Sequence, residues 1–254
     1  MRITRAVVPS LFTTLNMFCG FLSIIYTTRN DIEFAAWLII IAAIFDSLDG
    51  LMARLTKSSS DFGVELDSLA DVVSFGVAPS FLIYQLHLST LGTLGIMISS
   101  MPMVFGAMRL ARFNVQLVGY DKDYFRGLPI PATAIMLTSF ILTYHREGAG
   151  LPQLSATMLA PIVILLSLLM VSSFKYDTAP KFSRRGIALH PWRFAFSMLA
   201  LSAMISSGGK AIFPIFILYV ATGPLRFFVQ AVRNLLHPAE KREAEERDMT
   251  SIDA

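Results

Sequence analysis

Residues 45–71 read FDSLDGLMARLTKSSSDFGVELDSLAD, and the fold is decided by how this stretch sits in its apolar surroundings. Asp46, Asp49, Gly50, Ala53 and Arg54 recur at i, i+3, i+4, i+7 and i+8, so a helix would carry them as one stripe. Gly63, Asp67 and Asp71 follow at i, i+4 and i+8 and make a second stripe. Between the stripes, residues 55–62 form a short polar connection whose Ser58, Ser59 and Ser60 suit a helix N-cap. The two helices are therefore expected to be antiparallel neighbours with their acidic stripes facing. Glu65 falls off the stripe.

Both helices continue into long apolar runs, and that is what makes the acids informative. A charge near the centre of a bilayer costs about 2.5–3.5 kcal/mol, so four unpaired aspartates would cost roughly 10 kcal/mol together. Cations between the stripes would remove the penalty, and hard divalent ions suit an all-oxygen ligand set. With two such ions and Arg54, the site would carry a small positive excess that accepts a pyrophosphate. The small residues Gly50, Ala53 and Gly63 leave room for close helix approach or for a ligand against bare backbone.

The composition agrees with a membrane setting. Of 254 residues, 54% are hydrophobic and 15% charged, with a mean hydropathy of +0.60, against about 25% charged in soluble domains. A net charge of +3 on so apolar a chain argues against a nucleic-acid partner. Cys19 is the single cysteine, which excludes an intrachain disulfide, and the four dispersed histidines offer no zinc site. Residues 1–23, with Arg2 and Arg5 before an apolar run, have no small-x-small cleavage site, and bulky Met17 and Phe18 before Cys19 spoil a lipoprotein box; they are expected to be a first membrane helix.

Eight apolar segments approach the roughly 20 helical residues that cross a bilayer: 11–26, 34–52, 64–86, 91–110, 128–144, 159–174, 194–205 and 211–232. With the N-terminus inside, every basic residue except Arg29, Arg146 and Lys210 falls on the cytoplasmic side. The expected fold is an all-α polytopic membrane helix bundle of about eight transmembrane helices, with both termini and the acidic stripes cytoplasmic. Residues 1–236 would form the membrane domain, and the charged residues 237–254 a solvated or disordered tail.

The spacing Asp46-x2-Asp49-Gly50-x2-Ala53-Arg54-x8-Gly63-x3-Asp67-x3-Asp71 resembles the signature of the CDP-alcohol phosphatidyltransferase family at every fixed position. Further stretches resemble the integral-membrane branch that uses serine: NMFCGFL from Asn16, SFGVAP from Ser74, RLARFN from Arg109, GLPIPA from Gly127 and VSSFKY from Val171. One departure is that the family's Pro-Asn-x-x-Thr is here Pro9-Ser10 with Thr13 retained, which leaves no asparagine for that nucleotide contact.

The resemblance implies transfer of the phosphatidyl group of CDP-diacylglycerol to L-serine, with release of CMP, in a cell membrane with the active site facing the cytoplasm. It implies two ions, Mg²⁺ or Mn²⁺, held by Asp46, Asp49, Asp67 and Asp71, with Asp71 as general base, and CDP-lipid contacts at Gly50, Arg54 and Ser60. It also implies a homodimer. A carboxylate beside a metal is chemically suited to take the alcohol's proton, and the guanidinium of Arg54 suits phosphate oxygens. For the serine carboxylate, Arg109 and Arg112, one turn apart at the cytoplasmic end of the fourth segment, are candidates beside a reading as plain positive-inside anchors; Arg126 and Lys175 are weaker ones. Three rivals remain: a sibling enzyme with another acceptor alcohol, an intramembrane prenyltransferase, and a cation transporter.

Overall fold

In the computed structural model, residues 7–56, 60–116, 124–146, 148–177 and 211–236 are described. They form α1 (Val7–Thr28), α2 (Ile32–Thr56), α3 (Asp61–Asp71), α4 (Ala78–Leu86), α5 (Thr93–Gln116), α6 (Ile130–Tyr144), α7 (Gln153–Val171) and α8 (Ile212–Leu236). Two strands, β1 (Tyr124–Arg126) and β2 (Lys175–Asp177), complete the described chain. Six helical stretches are long and apolar enough to cross a membrane, with α3 and α4 counting as one. The protein is a multi-pass membrane helix bundle.

α1 and α2 form a tight hairpin. Asn30 turns the chain at φ 61°, a left-handed conformation that asparagine tolerates, and the Asp31 carboxylate accepts from the Phe34 amide at 3.2 Å to start α2. α2 packs along α1, and its buried residues Ala35, Ile39, Ala42 and Ala43 are mostly small. Small side chains let the backbones approach, and Ser23 Oγ of α1 donates to the Ala35 carbonyl at 2.8 Å.

The third segment is one continuous helix with a local defect. Between α3 and α4, residues Val72–Val77 form a π-helical turn in which Ser74, Phe75 and Gly76 are buried. α1 docks on this turn almost backbone to backbone: Ser74 Oγ donates to the Asn16 carbonyl at 2.8 Å, and a Cβ on Gly20 would come within 2.5 Å of Ser74 Oγ. In α5, Pro102 interrupts the helical bonding, and the next amide, Met103, donates to Ser80 Oγ of α4 at 3.2 Å.

The expected segment at 128–144 is a helix of 15 residues, about 22 Å long and shorter than the roughly 30 Å hydrocarbon layer. Most of its residues are buried, so it packs inside the bundle rather than reaching lipid along its length. Its start is set by Gly127, at φ +79°, whose amide donates to the Phe174 carbonyl at 2.8 Å. The strands were not expected. They pair antiparallel with Phe125 opposite Tyr176, and Tyr176, completely buried, ties the ribbon to α8 by donating from its hydroxyl to the Val220 carbonyl at 3.2 Å.

Outward faces carry exposed apolar side chains such as Phe18, Phe21, Met97, Leu165 and Phe228, as a lipid-facing surface should. The expected seventh span at 194–205 and the charged tail at 237–254 lie outside the described residues.

Candidate active site

The acidic seam is built by α2 and α3. Ser60 is the N-cap of α3, with extended backbone and a side-chain oxygen that accepts from the Gly63 amide at 3.1 Å. This cap turns the chain back along α2. A Cβ at Gly63 would stand 3.2 Å from Ser60 Oγ, so the small residue belongs to the cap as well as to the stripe. With that return in place, Asp46, Asp67 and Asp71 each bring one carboxylate oxygen within 4.8 Å of the others.

Asp49 is set slightly apart. It is buried, accepts a hydrogen bond from the Thr13 hydroxyl of α1, and lies near enough to Asp46 and Asp67 for its charge to act on both. The tight cluster thus holds three of the four expected aspartates. Donors that are all carboxylate oxygens fit a hard divalent cation, and Asp71 Oδ1 is buried without a hydrogen-bond partner among the described residues, as a carboxylate awaiting a cation or donor would be.

The other expected contacts fall around this cluster. Among the described residues, nothing outside its own helix backbone lies within 4 Å of where a Cβ on Gly50 would be. Gly50 therefore does not serve close helix packing, and the space above it is open to a ligand. Ser60 is exposed at the rim. Arg54 occupies the last turn of α2, on the stripe of Asp46 and Gly50; its side chain lies outside the described residues. Glu65 is exposed, away from the cluster.

Arg109 and Arg112 part company. Arg109 is 6% exposed and lies near the Asp71 carboxylate, whose charge acts on it, and near Tyr219 of α8. Arg112 is exposed, and its Nη1 reaches the Val171 carbonyl at the end of α7 at 3.5 Å. One helix face in sequence becomes two environments in the bundle: Arg109 turns toward Asp71 and α8, and Arg112 toward the end of α7. The side chains of Arg126 and Lys175, opposite one another in the ribbon, lie outside the described residues.

Several residues at the site escape a reading based on charge. Thr13 and Asn16 come from α1, Asn16 being completely buried beside Asp71. Ser68 of α3 accepts from the Asn114 amide of α5 at 3.0 Å, one residue from Asp67. The available signal was positional: Asn16 and Asn114 both lie in stretches singled out for resemblance, without a chemical reason attached to either.

Comparison with known proteins bears on this geometry. Residues 6–172 match the family described as CDP-alcohol phosphatidyltransferase. The chain is 40% identical over 176 residues to the CDP-diacylglycerol–serine O-phosphatidyltransferase of Helicobacter pylori (strain ATCC 700392 / 26695), covering 68% of this chain and 73% of that one. It is 41% identical over 171 residues to the archaetidylserine synthase of Methanothermobacter thermautotrophicus, covering 66% and 68%. With the CDP-diacylglycerol–serine O-phosphatidyltransferase of Bacillus subtilis the identity is 34% over 185 residues, 73% of this chain and 98% of that one. The fold is similar to that of the phosphatidylinositol phosphate synthase of Mycobacterium tuberculosis, solved with CDP-DAG bound, at a TM-score of 0.50 and 19% identity over 67% of this chain and 82% of that one.

Proposed function

The chain belongs to the CDP-alcohol phosphatidyltransferase family, and from that membership we propose that it transfers the phosphatidyl group of CDP-diacylglycerol to the hydroxyl of L-serine, releasing CMP. The observation that carries the reading is the convergence of Asp46, Asp67 and Asp71 within 4.8 Å, in a protein whose relatives are named for serine transfer. The choice of acceptor rests on those names; the chemistry rests on the acids.

The reaction forms one phosphorus–oxygen bond and breaks another. The serine oxygen attacks the lipid-bearing phosphate, its proton passes to a carboxylate, and the bond to the CMP oxygen breaks. Asp71 is the carboxylate in our reading, because it is the deepest member of the trio and faces Arg109. When bound, two divalent ions, Mg²⁺ or Mn²⁺, would neutralise the clustered acids, Asp49 among them, and polarise the pyrophosphate oxygens. Gly50 leaves the nucleotide a path against bare backbone, with Arg54 and Ser60 flanking it. Arg109 is the better of the two arginine candidates for the serine carboxylate, since its guanidinium is buried beside Asp71 and a desolvated charge pair binds more strongly than an exposed one.

Scissile bond and nucleotide must stay near water while the acyl chains stay in lipid. A seam at the cytoplasmic end of two spans, in the cell membrane and with serine entering from the cytoplasm, meets both needs, and we extend the family reading to a homodimer. The test is CMP release by purified protein supplied with labelled CDP-diacylglycerol, divalent ion and a panel of alcohols. Turnover with serine is expected; turnover with glycerol 3-phosphate and none with serine would transfer the chain to a sibling activity.

A further inference from the structure

Asn16 of α1 is completely buried, and among the described residues neither its amide nitrogen nor its amide oxygen completes a hydrogen bond of good geometry. Its side chain lies close enough to the Asp71 carboxylate to act on it as a hydrogen-bond donor, and the buried Oδ1 of that carboxylate has no partner among the described residues. Each such orphaned group costs about 1–3 kcal/mol, and a leucine of nearly the same shape would remove two of them.

Helix docking does not account for the amide. The bond from α1 to the π-helical turn runs through the Asn16 backbone carbonyl, and close approach there is secured by Gly20. Any residue at position 16 could supply that carbonyl, so the polar side chain serves something else. Its neighbour Thr13, one turn earlier on the same helix, already performs the analogous task by donating to Asp49.

We propose that Asn16 is a positioning residue for Asp71: its amide nitrogen donates to the carboxylate and fixes its rotation, so that the oxygen shared with Asp46 and Asp67 stays aimed at the ion site. Being inaccessible, Asn16 does not touch substrate and acts through Asp71. A carboxylate in its place would add another negative charge to the cluster, whereas an amide donates without changing the charge. The inference rests on the reading of Asp71 given above. Outer partners of this kind are worth about 10–100-fold in metal affinity or activity.

The experiment uses the full chain in lipid nanodiscs, with Mn²⁺ alone titrated by electron paramagnetic resonance, thermal unfolding, and steady-state CMP release. For Asn16→Leu, Mn²⁺ binding is expected to weaken about 10-fold or more. Turnover number should fall with it, while the KM for CDP-diacylglycerol moves less than about threefold and the unfolding temperature is unchanged or higher. Asn16→Ala, which cannot overpack, should show the same Mn²⁺ loss with a lower unfolding temperature. Asp71→Asn should weaken Mn²⁺ by itself, and adding Asn16→Leu to it should weaken binding no further, because both changes act on one group. Wild-type Mn²⁺ affinity in both Asn16 variants while Asp71→Asn loses it, or full additivity in the double variant, would overturn the proposal. Wild-type affinity and turnover in Asp71→Asn would instead overturn the reading of Asp71, and this inference with it.

Discussion

The seam between α2 and α3 and the walls around it, α1 and α5, contribute to one site in opposite ways. All the acids of the seam come from residues 46–71 on two consecutive helices, and a charge in an apolar span is too costly to pass unnoticed. The walls contribute neutral groups and one cation from far along the chain: Thr13 lies 36 positions from Asp49, its partner, and Arg109 arrives from α5. Threonine and asparagine carry no charge, and in the sequence neither stands out as the aspartates do. The seam supplies the reactive oxygens, and the walls decide which way those oxygens point.

If that division holds, substitutions in the seam should remove chemistry and substitutions in the walls should detune it. Asp71→Asn is expected to have the largest effect, a loss in turnover of about 10²–10⁴-fold with helix content retained, measured by CMP release and circular dichroism. Near-normal turnover would remove Asp71 as the base and leave that role unassigned.

Next come the two arginines. Arg109→Ala removes a buried charge-assisted contact worth about 1.5–3 kcal/mol, so the KM for serine should rise about 10–100-fold with a smaller change for CDP-diacylglycerol. Arg112→Ala, which breaks a contact to the Val171 carbonyl at the surface, should leave the serine KM within about threefold. Equal effects would mean that the burial of Arg109 does not separate the two functionally. A smaller effect is expected from Thr13→Val, which keeps the shape but strips Asp49 of its hydroxyl donor; the loss in turnover should be about 10-fold, from an unmade bond of about 1–3 kcal/mol to a charged group.

The same contrast explains what was legible in the sequence. Stripe spacing placed Asp46, Asp67 and Asp71 together, the Ser60 cap was readable from the serines beside it, and apolar length located the helices. The π-helical turn at Val72–Val77 left no trace, because its residues are as apolar as a regular span and its contacts, through Ser74 and Gly20, are with the distant α1. The ribbon strands are three residues each, too short for any period to emerge. Nor does spacing tell which face of α5 is covered, so Arg109 and Arg112 looked alike. Each of these misses depends on a neighbour distant in sequence.

The ribbon sets the lower limit of wall effects, because Tyr176 touches α8 and not the acids. Its hydroxyl donates to the Val220 carbonyl at 3.2 Å, and burial first, then neighbouring Tyr219, pushes the phenol from 10.0 up to about 12. The fold therefore favours the neutral, donating form. Its contribution is fully present below the unfolded value of 10.0 and is lost as pH rises through about 12. Tyr176→Phe should cost about 0.5–1.5 kcal/mol of stability near neutral pH, leave turnover unchanged, and flatten the alkaline fall in unfolding temperature across that window. A loss of turnover without a loss of stability would bring the ribbon into the site, and the walls would then reach further than α1 and α5.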